Sequence, residues 1–313
     1  MPSAQWPAVQ SRLLTRELRQ MRRAAGMTLQ QVAAALYLSV SKIQRMERGA
    51  RVSVPELRAL LEVYGITDPG KAGEMTGLTL GAAAHTWHDA YASIVHDRAY
   101  LDYLDHEAGA AVIRSFQLLV IPRLLQTGEY TRAVARAGSC PERSAALPEV
   151  LRRHQQEVLG REDPPRQFYV LDQGAIQRPV GGPGHPGIMR RQLRYLAGVA
   201  ARPEVTLEVV PFAAGAHPGM NGPFTILGFD GDPGDVLYLE DPTGGSVVAE
   251  GTGLRTEDYR ARFEQLRQMS PGPEPGAGLI GRAADAMPAL PAALLALRLS
   301  WPGVGDCRGR GGR

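Results

Sequence analysis

The 313 residues are 44% hydrophobic and 21% charged with a formal net charge of +3, a balance that supports packed cores and leaves room for two domains, one small and one near 200 residues. Two cysteines without paired spacing, Cys140 and Cys307, argue against a disulfide framework and a cysteine zinc site. Pro2 to Arg16 lacks the apolar core of a signal peptide and no run of about 18 apolar residues occurs, so a soluble cytoplasmic chain is expected.

Leu14, Leu18, Met21 and Ala25 recur at helical spacing and predict a first helix over 8–26, ended by Gly26. The next stretch, Thr28 to Gly49 (TLQQVAAALYLSVSKIQRMERG), reads as two short helices joined by a tight turn. Thr28 and Gln31 form a capping box. Val32, Ala33 and Leu36 follow at helical spacing, and the small Ala33 permits a close crossing. Tyr37 and Leu38 make the turn, and Ser39 caps the second helix. There Ile43 and Met46 face inward, while Ser41, Lys42, Gln44, Arg45 and Arg48 face out. From Arg12 to Arg51 the chain holds nine basic and two acidic residues, a local +7 against +3 overall. The remainder therefore sums to −4, and the positive charge sits where a DNA-binding hairpin needs it. Ser53 and Glu56 form another capping box, with Pro55 in the first turn. Leu57, Leu60, Leu61 and Tyr64 give that helix its inner face, and Gly65 stops it. Asp68 caps a fifth helix running to about Leu80.

LRQMRRAAGMT, QQVAAAL, SKIQRMERG and LRALLEVYG together make residues 13–65 resemble the XRE family of helix-turn-helix regulators, related to phage repressors of the Cro and C1 type. The resemblance implies a five-helix, lambda-repressor-like DNA-binding domain over 8–80, with Ser39 to Arg48 as recognition helix. It places Val40, Ser41, Gln44 and Arg45 nearest the base edges, and Lys42 and Arg48 nearer phosphate. Thr28, Gln30 and Ser39 complete the expected DNA contacts. Glu47 matches the acid that pairs with a basic residue of the first helix, here Arg22, in a structural role. Two positions depart from the family: Tyr37 stands where glycine is usual, and Leu29 where glutamine is usual, with Gln30 as a stand-in.

Residues 81–108 read as a helical connector with an aromatic and apolar stripe (Trp87, Tyr91, Tyr100, Leu101, Tyr103, Leu104), more often core or dimer contact than ligand box. His85, His88 and His96 lack a third ligand at firm spacing, and no metal is expected. Over 109–270 strand and helix patterns mix. Strands are expected at 111–120, 167–171, 205–211, 223–229, 236–239 and 246–249, with helices at 127–137, 148–161, 188–201 and 256–269. The closely spaced late strands predict an α+β domain with a mainly antiparallel sheet. Residues 271–313 read as a flexible Pro/Gly/Arg-rich tail, with a short helix possible over 279–287.

FQLLVIPRLLQTGEYTRAVARAG, REDPPRQFYVLDQGAIQRPVGG, VTLEVVPFAAGAHPGMNGPFTIL and DVLYLED make residues 100–270 resemble the uncharacterised C-terminal domain that follows such a helix-turn-helix in many actinobacterial regulators. Arg123 departs from that pattern, where glycine is usual. The resemblance implies transcriptional regulation, often beside a gene for a small partner protein, and no chemistry.

No enzyme is expected. His106-Glu107 suggests a zinc peptidase, but Ala110 occupies the second ligand position. GGPGHPG at 181–187 lacks the context of a phosphate loop. Asp172, Glu240 and Asp241 lie at strand ends with nothing to fix their separation. The small-residue loop 210–222, holding Phe212, His217, Met220 and Asn221, is the best effector or partner surface, together with Gln126 of the LLQT segment. The sequence thus predicts a regulator that binds double-stranded DNA without a cofactor, as a homodimer on half-sites about 34–36 Å apart. An antitoxin-like protein that grips a small partner and controls its own operon is the alternative.

Overall fold

The computed structural model describes residues 6–84, 98–137, 147–182, 185, 187–230, 234–240, 246–249 and 256–287. Five helices come first: α1 (Pro7–Ala24), α2 (Leu29–Ala35), α3 (Val40–Met46), α4 (Val54–Val63) and α5 (Pro69–Ala82). The local signals in the sequence set their ends. The Thr28–Gln31 and Ser53–Glu56 capping boxes are both formed, Ser39 accepts from the Lys42 amide, and Asp68 accepts from the Gly70 and Lys71 amides. Gly26 and Gly65 take left-handed backbone, φ 66° and 72°, where their helices stop. Ala25 falls outside α1 and is exposed, so the inner face ends one turn earlier than its apolar spacing suggests. Leu14, Leu18, Met21, Val32, Ile43, Met46, Leu57, Leu60, Leu61 and Met75 form one buried cluster.

The second unit is built on a six-stranded mixed sheet in the order β3-β2-β1-β4-β5-β6. Its strands are β1 (Val112–Gln117), β2 (Arg166–Asp172), β3 (Val205–Val210), β4 (Phe224–Gly228), β5 (Val236–Glu240) and β6 (Ser246–Ala249). The late strands β4, β5 and β6 pair antiparallel, as their short spacing predicts. β1 also pairs antiparallel with β4, but β1, β2 and β3 run parallel. Parallel pairing needs a long crossover, and helices fill the gaps. α7 (Gly128–Ala137) and α8 (Leu147–Leu159) lie between β1 and β2, and α9 (Gln173–Gln177) and α10 (Gly187–Val199) between β2 and β3. α11 (Thr256–Met269) and α12 (Pro273–Ala286) follow the last strand.

Strand alternation splits the core over the two sheet faces. Phe116, Val170, Phe224, Ile226 and Leu237 meet Phe263 and Leu266 of α11 on one face. Ile113, Tyr169, Leu171, Leu207, Leu227 and Tyr238 share the other with residues of α7, α8, α10 and α12. α12 overlaps the short helix expected over 279–287 and extends back into the stretch read as flexible. Its helix begins at Pro273, and Ile280 and Ala284 are buried in that second core. Two prolines lie within the first turn, where a missing amide costs nothing.

The connector helix α6 (Arg98–Gly109) is also core. Tyr100, Leu101, Tyr103 and Leu104 are buried in the sheet unit, while Trp87 and Tyr91 lie outside the described residues. α1 reaches the same core. Its leading residues Trp6 and Val9 are buried there rather than among the five helices. Gly109 permits that seat, because a Cβ at this position would lie 2.5 Å from Val9 Cγ2. Arg12 adds a hydrogen bond of 2.8 Å to the Gly234 carbonyl. One continuous helix therefore contributes its start to one core and its middle to the other.

Candidate nucleic-acid interface

α2 and α3 meet through buried Val32, Ala33, Ile43 and Met46. This burial turns the opposite face of α3 outward. Ser39, Val40, Ser41, Arg45 and Arg48 are exposed, and Gln44 and Lys42 are half-buried. Thr28 and Gln30, at the start of α2, are exposed as well. The structure thus brings the expected DNA-facing residues of the hairpin to accessible positions.

The hairpin is clamped to α1 by two arginines. Arg22 holds the Glu47 carboxylate in a two-point grip, Nε to Oε1 at 2.6 Å and Nη2 to Oε2 at 2.9 Å. Its Nη1 donates to the Met27 carbonyl at 2.9 Å. Arg19 Nε donates to the Glu47 carbonyl at 2.5 Å. The hydrogen bond to Glu47 raises the pKa of Arg22 against the opposing effect of its burial. Tyr64 packs nearby, its phenol pushed up to about 12 by burial and then by the Glu47 charge. This is a fixed, fork-to-carboxylate contact of the kind lysine cannot make. It locks the end of α3 against the scaffold.

Lys42 has a second partner that the sequence does not announce. Its ammonium lies 2.7 Å from Glu56 Oε1 at the start of α4. That hydrogen bond, with those from Ser53, lowers the Glu56 pKa to about 2. Stability from this contact is fully present above the carboxylate's unfolded value of about 4.3. It is lost as the pH falls through about 2. Any further anion at Lys42 would have to compete with Glu56.

In the sheet unit, the loop 211–222 is tied down at its centre. His217 Nε2 lies 3.2 Å from Asp172 Oδ2, and its ring stands edge-on to Phe116 with centroids 5.7 Å apart. Asp172 also accepts from the Gly174 amide. Gly219 rests on the Phe116 ring, where a Cβ would lie 2.3 Å from Cε1. The Phe212 amide donates to Gln173 Oε1 at 2.7 Å. Phe212 and Met220 nonetheless stand 58% and 63% exposed, and Asn221 is exposed beside them. Gln126 has a different setting. It is buried, donates to the Ile121 carbonyl at 2.7 Å and accepts from Thr131 Oγ1 at 3.0 Å. Of the suggested acidic trio, Asp172 is engaged by His217, Asp241 lies outside the described residues and the Glu240 side chain is not described. His85, His88 and His96 lie outside them too. Among the described residues no group of three metal-type ligands occurs, and no helix is long and apolar enough to cross a membrane.

Sequence reasoning missed a buried polar row. Tyr169, Ser115, Thr225 and Tyr238 fall in register across β2, β1, β4 and β5. Ser115 and Thr225 hydroxyls meet at 2.9 Å. Over them Glu107 accepts from the Tyr103 hydroxyl, and its other oxygen lies 2.7 Å from His154 Nε2. Gln117 Oε1 is buried there with no hydrogen-bond partner. The signal was present in β1, where Ser115 and Gln117 interrupt an apolar run at period two.

Comparison with known families agrees with both halves. A helix-turn-helix domain family matches residues 13–72, and the family described as "Domain of unknown function (DUF5753)" matches residues 100–282. No curated protein and no solved structure matches the chain. The second match spans more than half of the 313 residues, so the chain belongs to the DUF5753 family, carrying its domain behind an XRE-type helix-turn-helix.

Proposed function

We propose that α3 enters the major groove of double-stranded DNA and reads a specific operator, with the sheet unit adjusting the outcome in response to a partner or ligand. The observation that carries the first part is the outward face of α3. Ser41, Arg45 and Arg48 are exposed within a stretch of local charge +7, and the Arg22–Glu47 clamp fixes its angle. Val40, Ser41, Gln44 and Arg45 serve as base readers. Arg48, Thr28, Gln30 and Ser39 position the backbone, as does Lys42 once it leaves Glu56. A single short recognition helix covers few base pairs, so the active species is a homodimer on half-sites about 34–36 Å apart.

Genome-wide mapping of bound fragments tests this, with operator symmetry as its readout. Arg45→Ala then probes the reading itself. Its guanidinium can bond guanine O6 and N7 together, so binding to a recovered fragment is expected to weaken by about 1–3 kcal/mol. Random duplex at the same salt is expected to lose much less. Equal losses on both would move Arg45 to a phosphate.

The second part draws support from the loop bearing Phe212, Met220 and Asn221. Two large apolar side chains are exposed on a segment that the His217–Asp172 contact holds from within. Exposed apolar groups on a fixed loop suit a protein partner better than a polar ligand, which also favours the antitoxin-like alternative over an enzyme. A Phe212→Ser, Met220→Ser chain is expected to bind operator fragments normally in vitro and to lose control of its targets in cells. Normal control would remove the loop from the proposal. Recovery of the neighbouring gene's product with the full chain would separate the antitoxin-like reading from a ligand sensor.

A further inference from the structure

We propose that Tyr37 is a DNA-backbone contact that positions the recognition helix, at a cost to the stability of the helix-turn-helix itself. The inference rests on the reading of the N-terminal unit as DNA-binding. Tyr37 is the residue of the α2–α3 turn in which the chain reverses. The reversal is closed by Tyr37 N to Ala34 O at 3.3 Å and Leu38 N to Ala33 O at 2.9 Å. That closure places Tyr37 at φ 55°, and among the described residues no other non-glycine residue has positive φ. A side chain with a Cβ is strained there, and an aromatic one more than Asn or Asp.

Nothing within the described chain offsets that strain. Tyr37 is 97% exposed, more than any other large hydrophobic residue described, so its ring gains no packing. A strained residue is sustained by a role, and the inference runs from the outlier to that role. Its position says which. Tyr37 stands two residues before the Ser39 cap and beside exposed Ser39, Val40 and Ser41, at the end of α3 that faces DNA in helix-turn-helix proteins. It lies ahead of the helix rather than on its reading face. The phenol hydroxyl therefore donates to a phosphate oxygen and the ring covers the adjoining sugar, which fixes register without reading sequence.

Two variants of the full chain test this against a recovered operator fragment and a random duplex at one salt concentration. Tyr37→Gly is expected to raise the thermal midpoint of the N-terminal unit by about 2–4 °C as strain is relieved. The same variant is expected to weaken both complexes by about tenfold, the value of a lost hydrogen bond with its surrounding contact. Tyr37→Phe keeps the ring and the strain, so it is expected to lose about threefold with no gain in midpoint. The salt dependence stays at the wild-type slope in both, because a phenol neutralises no phosphate. Stability and affinity moving in opposite directions is the supporting result, since a merely tolerated turn residue would shift stability alone. Tyr37→Gly binding as tightly as wild type overturns the proposal, and so does a loss confined to the operator. Wild-type chain that binds neither duplex overturns the DNA reading, and this proposal with it.

Discussion

Glu47→Ala is expected to destabilise the N-terminal unit by about 3–5 kcal/mol and to abolish operator binding, although Glu47 itself faces the scaffold. Glu47 is 6% exposed, so its carboxylate holds Arg22 in partly desolvated surroundings. Removing it leaves a guanidinium without the two hydrogen bonds that compensate its burial. An unpaired buried charge costs far more than the intact pair contributes. The loss falls on α3, because Glu47 is the residue that ends that helix. Chemical unfolding monitored on the N-terminal unit checks the size, and a shift assay well below the midpoint checks the binding. An Arg22→Met, Glu47→Leu chain is expected to recover most of the stability, since it removes both charges together. Loss below about 1 kcal/mol in the single variant would mean that the clamp is a surface ion pair.

His154→Ala is the second large effect, placed in the other core. His154 is fully buried and Glu107 is 3% exposed. The Glu107 carboxylate accepts from Tyr103 on one oxygen and meets His154 on the other. Burial pushes the Tyr103 phenol well above its ordinary value, so it stays a donor. Deleting the imidazole creates a cavity and leaves one carboxylate oxygen without its partner, for an expected loss of about 3–5 kcal/mol in the sheet unit. Urea unfolding reads the loss. Adding Glu107→Leu to His154→Leu is expected to return only part of it, because removing the buried pair together is cheap but leaves the buried Tyr103 hydroxyl without its acceptor. If the double variant is no better than the single, the polar row beneath, with Ser115 and Thr225, requires Glu107 for its own hydrogen bonding.

Both effects concern contacts between segments distant in the chain, and this separates what was legible from what was not. Thr28, Ser39, Ser53 and Asp68 mark helix starts through hydrogen bonds spanning two or three residues. Such signals are complete within a short window, and the helix-turn-helix could be read from them. Most strands of the second unit could be placed the same way, from alternation between turn residues. Their order could not. Whether β1 pairs with β2 or with β4 depends on crossovers of dozens of residues, and β1 in fact pairs with both. The candidate effector residues divide for a similar reason. Gln126 and His217 look alike in sequence to Asn221, but the first two make internal hydrogen bonds and the third is exposed.

Capping boxes, apolar spacing and a local excess of arginine were sufficient to determine a basic helix-turn-helix unit followed by an α+β unit. Each rests on the short-range geometry of one helix or strand. Tertiary structure alone decided that α1 serves two cores, with Trp6 and Val9 in one and Leu14 and Leu18 in the other. It also decided that Lys42 meets Glu56 and that the Tyr37 turn lies in left-handed backbone. A helix pattern shows which residues share a face, but the surface that covers that face comes from elsewhere in the chain. The cost of a turn likewise appears only when the elements on both sides fix its dihedral angles.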